Sequence, residues 1–364
     1  MENGVKQRIF YFDALRALAI LCVIILHEFA ANIWLVQFDY GTIPSLNWTV
    51  TTFAIVCLRI GVDLFLMLSG ALSLGRDWTI RSFLGRRLPR IGLPFLFWGF
   101  VLSLWLIFMA HTFNLEYIIS SFDLQSIINF IIGAYLGESP GFYQYWFFWM
   151  ILGTYLIMPI FNKWISHADL GELEYFLVFW LITCIFDFTL GFKFLVKLNY
   201  FVSPIGLVVL GYYLRYTERK FLNDPYISLI LIIVPCFIMM MISYMLSSTE
   251  EIYVFDRYCI FTAIEVIGIF TLFKNFNKLN IELSFLKNPN GIIRKFISYL
   301  AKYSYGIYLT HIAFSAVLLG VLPYDLWGFK LIMLILILAV LFVPFTLIHF
   351  LNKIPYINQL IGAK

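Results

Sequence analysis

The chain has 364 residues, 62% of them hydrophobic and 13% charged, with a mean hydropathy of +0.89 and a net charge of +4. A soluble domain carries roughly 25% charged residues, so this composition excludes a soluble globular protein. The basic residues lie between apolar runs instead of forming one stripe, which argues against nucleic acid as a partner.

The apolar residues gather into runs of about 20, each long enough to cross a hydrocarbon core of about 30 Å. In chain order, hydropathy predicts spans near residues 14–36, 50–75, 91–111, 146–162, 174–191, 201–216, 226–247, 259–274, 297–318 and 328–352. The expectation is an all-α polytopic membrane helical bundle of about ten transmembrane helices, with 1–364 as a single domain. Residues 126–136, SIINFIIGAYL, are too short to cross and read as an interfacial or re-entrant helix. The chain starts MENGVKQR and enters its first span without a small-residue cleavage site, so that span is expected to remain as an anchor.

Cytoplasmic loops collect lysine and arginine. With the amino terminus inside, eighteen of the 25 basic residues fall in inside loops; Lys193, Lys197, Arg257 and Lys330 fall outside, and Arg16, Arg59 and Lys302 lie in or at the edge of spans. Both termini are therefore expected in the cytoplasm of a multi-pass protein of the cell membrane, surrounded by membrane lipids. The five cysteines sit in apolar runs without C-x-x-C spacing and read as packing residues.

An ionisable group within the hydrocarbon costs several kcal/mol or so, which makes each one a candidate for function or for interhelical pairing. The first span carries Asp13, Arg16, His27 and Glu28, the second Arg59 and Asp63, and later spans Asp187, Glu265 and His311. His111, His167 and His349 fall near span ends or in loops. Eleven residues separate Arg16 from His27, so they share one helix face about 16 Å apart, with Arg16 at the cytoplasmic mouth. In the ninth span Ser304, Tyr308 and His311 recur at i, i+4 and i+7, and His311 is expected at the depth of His27. Arg59 and Asp63, at i and i+4 of a span running the other way, are expected at a similar level, either as a mutual ion pair or as part of a shared polar site.

Between the second and third spans, RDWTIRSFLGRRLPR places five arginines in fifteen residues. Arg87 and Arg90 at i and i+3 suit the bidentate binding of phosphates, beyond what topology alone requires. The sequence lacks a phosphate loop, a G-x-S-x-G elbow, an H-E-x-x-H pair and a Gly-rich dinucleotide turn, so no metal is expected.

Five stretches resemble the integral-membrane acyltransferase 3 family: FDALRALAILCVIILH with Arg16 and His27, GVDLFLMLSG at 61–70, RRLPRIGLP with Arg87 and Arg90, WFFWMILGTYLIMP at 146–159, and SYGIYLTH at 304–311. They lie in order across most of the chain. One departure is Gln144, where the family often has a histidine. No hydrolase-like domain is expected after the last span, unlike in some relatives. The resemblance implies transfer of an acyl group, most often acetyl from cytosolic acetyl-CoA, to a hydroxyl of a glycan or lipid-linked saccharide acceptor on the far side. Arg16, Arg87 and Arg90 would bind the phosphates of the acyl-CoA. His27 would act as general base or as nucleophile, with Asp63 orienting it and Tyr308, His311 or Arg59 stabilising the oxyanion. The outward segments 112–145, 192–200 and 248–258 would meet the acceptor. The alternatives are a secondary transporter or flippase using Arg59, Asp63 and His27 as a relay, and a serpentine sensor without turnover.

Overall fold

The computed structural model describes residues 9–32, 45–191, 204–246, 255–279, 288, 291–323 and 328–363. They form helices joined by turns, with no strand among them. The helices are α1 (Phe10–Ala31), α2 (Leu46–Cys57), α3 (Gly61–Ser73), α4 (Ile80–Phe113), α5 (Leu124–Leu136), α6 (Trp146–Ile165), α7 (Leu170–Phe186), α8 (Pro204–Tyr216), α9 (Pro225–Met245), α10 (Ile260–Asn275), α11 (Ile292–Val321) and α12 (Phe329–Leu351).

Among the described residues, eight helical stretches are long and apolar enough to cross a membrane, with α2 and α3 together forming one of them. Helices α7 and α8, where the fifth and sixth spans are predicted, have 17 and 13 residues, about 25 and 20 Å at 1.5 Å per residue. Ten predicted crossings thus meet eight helical stretches of full length. Helix α5 has 13 residues and buries only Phe130, Gly133 and Ala134, which fits a helix too short to cross. Its N-cap Asp123 accepts from the Ser126 amide at 3.0 Å. Hydrogen bonds from the Ser121 and Ser126 hydroxyls hold that carboxyl below the usual range.

Two local departures from the predicted elements matter for the site. The second span is broken: Leu58, Arg59 and Ile60 form a turn, and α3 restarts at Gly61. Gly61 is where α3 meets α1, since a Cβ there would lie 2.7 Å from the Ala19 carbonyl. Arg59 and Asp63 are therefore not one turn apart on a continuous helix. The arginine-rich segment before the third span is also mostly helical. Thr79 caps α4 through a reciprocal capping box with Ser82, and the helix runs 34 residues, so Arg87 and Arg90 ride on its early turns.

The bundle is built around close backbone contacts. Helices α3 and α8 touch at Gly70 and Gly211: a Cβ on Gly70 would fall 1.7 Å from the Val208 carbonyl oxygen, and one on Gly211 2.0 Å from that of Met67. Small residues permit this approach between membrane helices, where dispersion contacts replace the hydrophobic effect as the source of association. Helix α11 crosses α1 and α4, and its Gly306 admits the Ile361 carbonyl of the carboxy-terminal segment. That segment is fastened by Trp98 Nε1 donating to Ile361 O at 3.3 Å. Gly70→Ala is expected to force α3 and α8 apart, at about 1–3 kcal/mol or more. It should lower the melting temperature in detergent by several degrees. Gly153→Ala, where the added methyl meets open space, should not.

Candidate active site

The two histidines expected at one depth are in contact. His27 Nδ1 lies 2.9 Å from His311 Nε2, and the rings stack at 5.1 Å between centroids. His311 is fully buried and its Nδ1 lies 2.7 Å from the Tyr308 carbonyl oxygen. These contacts assign the protons. A carbonyl only accepts, so His311 Nδ1 must carry its hydrogen, and in the neutral ring Nε2 is then an acceptor. His27 Nδ1 is consequently the donor to it. The remaining nitrogen, His27 Nε2, is left with its lone pair. A histidine pair wired in this sense presents one base and one positioning partner.

The turn beneath the pair is fixed by Gln144. Its side-chain amide donates to Leu309 O at 3.0 Å, and the Tyr308 hydroxyl donates to the Gln144 backbone carbonyl at 2.9 Å. The residue that breaks the expected histidine pattern thus ties the start of α6 to the helix that carries His311. Tyr308 would have to exchange that partner before donating to an oxyanion.

A cavity of about 520 Å³ opens at the end of the bundle where α4 begins and runs inward to Tyr308 and Phe147. Arg16, Arg87 and Arg90 all line it, joined by Arg76 and Lys302, and among the described residues no acidic side chain does. Arg87 is anchored, its Nη2 bonded to Ser73 Oγ at 2.5 Å and its guanidinium beside the Phe83 and Tyr155 rings. Ser69, Ser304, Tyr155 and Tyr305 supply hydroxyls along the wall, and Gln359 and Gly362 close one side. Five cations at the mouth and an apolar, hydroxyl-bearing interior match a ligand with phosphates at one end and a slender neutral arm at the other. A second basic group, Arg215, Lys220, Lys274 and Lys278, lines a separate pocket. Three of its members donate to backbone carbonyls at helix ends, Arg215 to Ala71, Lys274 to Leu214 and Thr217, and Lys278 to Asn223.

Asp63 is 1% exposed, and its Oδ1 finds no hydrogen-bond partner among the described residues. No hydrogen bond joins it to His27 or His311 among those residues, so the group that holds His27 is His311 and not the expected Asp63. The charges that act on Asp63 are those of Arg257 and Arg59 and, in the opposite sense, Asp256. Arg59 donates to the Phe255 carbonyl. Glu28 and Glu265 are also buried, the first accepting from Ser315 at 2.9 Å and the second from Cys236 Sγ at 3.2 Å. All five cysteines are free. Residues 192–200 and 248–254, expected to meet an acceptor, lie outside the described residues.

The sequence reading passed over Arg257, which stands over the Trp146 ring at 4.0 Å and acts electrostatically on both His27 and Asp63. The available signal was its position, since it is one of only four basic residues assigned to the outside.

The family model described as an acyltransferase domain matches residues 9–354. No curated protein and no solved structure gives a significant match. The match covers nearly the whole chain, and the protein belongs to that acyltransferase family.

Proposed function

We propose that this acyltransferase takes an acyl group, acetyl in the simplest case, from acetyl-CoA on the cytoplasmic side and passes it to a hydroxyl of a glycan or lipid-linked saccharide on the other side of the cell membrane. The observation that supports this reading is a basic cavity whose inner end lies on the helix that carries His311. Arg16, Arg76, Arg87, Arg90 and Lys302 ring its mouth, and Tyr308, one turn before His311, forms its inner end. Arginine forks suit the diphosphate and the ribose phosphate of CoA. The pantetheine arm is narrow and neutral, and the thioester at its tip would come up beside His27.

His27 then serves as general base through Nε2, taking the proton of the acceptor hydroxyl as its oxygen attacks the thioester carbonyl, and returning it to the departing thiolate. His311 stabilises the transient imidazolium by accepting from Nδ1, with the Tyr308 carbonyl fixing its own tautomer. The orientation rests on the excess of basic residues at this end, which is the cytoplasmic signature.

The test is release of free thiol from acetyl-CoA by the purified protein in detergent, with water, hydroxylamine or candidate saccharides as acceptor. A transporter or sensor releases none. Thiol release that rises with the acceptor supports the enzyme. A cysteine introduced beside Asp77 should be labelled by an impermeant reagent only after permeabilisation, and one beside Asp256 without it.

A further inference from the structure

Catalysis of acyl transfer needs more than a base, because negative charge gathers on the thioester oxygen when the carbonyl is attacked. The groups suggested for that task by the sequence are occupied. Tyr308 donates to Gln144 O, His311 is engaged at both nitrogens, and the Arg59 guanidinium donates to Phe255 O. The cavity cations stand at the other end, Arg16 being eleven residues from His27 along α1, about 16 Å.

Arg257 differs from all of these. It comes from the turn that precedes α10, at the end of the bundle opposite the basic mouth, and it is half-buried. Among the described residues its guanidinium makes no hydrogen bond or ion pair, and its contact is the Trp146 ring. Trp146 opens α6 two residues after Gln144, whose carbonyl receives the Tyr308 hydroxyl. The turn is held from several sides. Arg59 grips the Phe255 carbonyl, Asp256 accepts from the Tyr258 and Cys259 amides, and Thr189 Oγ1 accepts from the Ile260 amide at 2.9 Å. A guanidinium so placed is preorganised beside the Trp146 ring, with its donors uncommitted among the described residues.

We infer that Arg257 is the oxyanion-stabilising residue of this acyltransferase, donating to the former thioester oxygen from the face opposite the CoA cavity. Its ring partner Trp146 adjoins Phe147, whose ring lies 5.0 Å from that of Tyr308, and its charge acts on His27, Asp63 and Tyr308. The acceptor oxygen bonds to the carbonyl carbon while His27 Nε2 takes its proton, and the carbonyl π pair moves to the oxygen facing Arg257. That pair then re-forms the double bond, the C–S bond breaks, sulfur keeps the electron pair, and the proton on His27 passes to it. The Asp63 carboxyl, buried close to Arg257, offsets its charge when no oxyanion is present and so helps retain the guanidinium in the apolar interior.

The inference rests on the acyl-transfer reading, and one experiment separates the two. Purified protein in detergent is given acetyl-CoA and hydroxylamine, a small acceptor that needs no glycan subsite, and acetohydroxamate is measured above the uncatalysed background. Arg257→Ala and Arg257→Gln are expected to lower kcat by about 10²–10³ while CoA binding, measured calorimetrically, and the KM for acetyl-CoA stay near those of the parent. Arg257→Lys should recover part of the loss, and added guanidinium should partly restore Arg257→Ala. Variants active within a few-fold of an active parent would overturn the role of Arg257 and leave the acyl-transfer reading intact. So would a loss confined to the KM for acceptor. A parent that makes no product from any acceptor would overturn both.

Discussion

Alanine at His27 is expected to lower kcat for acyl transfer by about 10²–10⁴ and to leave CoA binding unchanged. The asymmetry of the histidine pair gives this expectation its detail. His27 holds the unprotonated Nε2, whereas His311 is bonded at both ring nitrogens and touches nothing incoming. His311→Ala removes only the acceptor that fixes the His27 tautomer. Its loss should be smaller, and His311→Gln, whose side-chain oxygen can accept the same proton, should be milder still. Near-normal turnover by His27→Ala would return the pair to a buried packing contact. Equal losses at the two positions would mean that His311, too, meets the substrate.

The second large effect belongs to the cavity mouth. Arg87→Ala and Arg90→Ala each remove charge-assisted hydrogen bonds worth about 1.5–3 kcal/mol, made equally to substrate and transition state. The KM for acetyl-CoA should rise roughly tenfold or more for each, with kcat nearly unchanged. The loss should shrink at low ionic strength, where the remaining cations are screened less. Lysine at either position keeps the charge without the fork and should restore only part of the affinity. Arg87 is also bonded to Ser73, so Arg87→Ala carries an extra cost in local order that Arg90→Ala, at the exposed rim, does not. Steady-state kinetics beside direct CoA binding checks both.

The helix-face arithmetic located what repeats along a helix. Arg16 and His27 share a face because eleven residues come to nearly three turns, and Tyr308 and His311 share one because they are three apart. It could not show that the histidines touch, since that depends on how α1 crosses α11. It also treated 50–75 as one span. The run from Phe53 to Leu74 is apolar but for Arg59, Asp63, Ser69 and Ser73, and the break at Leu58–Ile60 goes with the close seat of Gly61 on the Ala19 carbonyl, a tertiary contact with no local signature. The same limit applies to Asp63. Its spacing from Arg59 suggested a helical pair, but the turn sends Arg59 to the Phe255 carbonyl. Arg257 was legible only as an exception to the charge rule. Gln144 was legible only as a departure from the family pattern, because its partners lie more than 160 residues away in the chain.

The central claim is that one channel leads from the basic mouth to the histidine pair, with the donor's phosphates at one end and its acyl group at the other. A CoA thioester bearing a photoreactive group on its acyl chain tests this most directly, with the labelled residues read by peptide mass spectrometry. The expected labels are Phe147, Tyr308 and their neighbours at His27 and His311, lost on competition with CoA and reduced in Arg87→Ala. Labelling instead around Arg215, Lys274 and Lys278, or on the lipid-facing side of α12, would contradict the channel and the site built upon it.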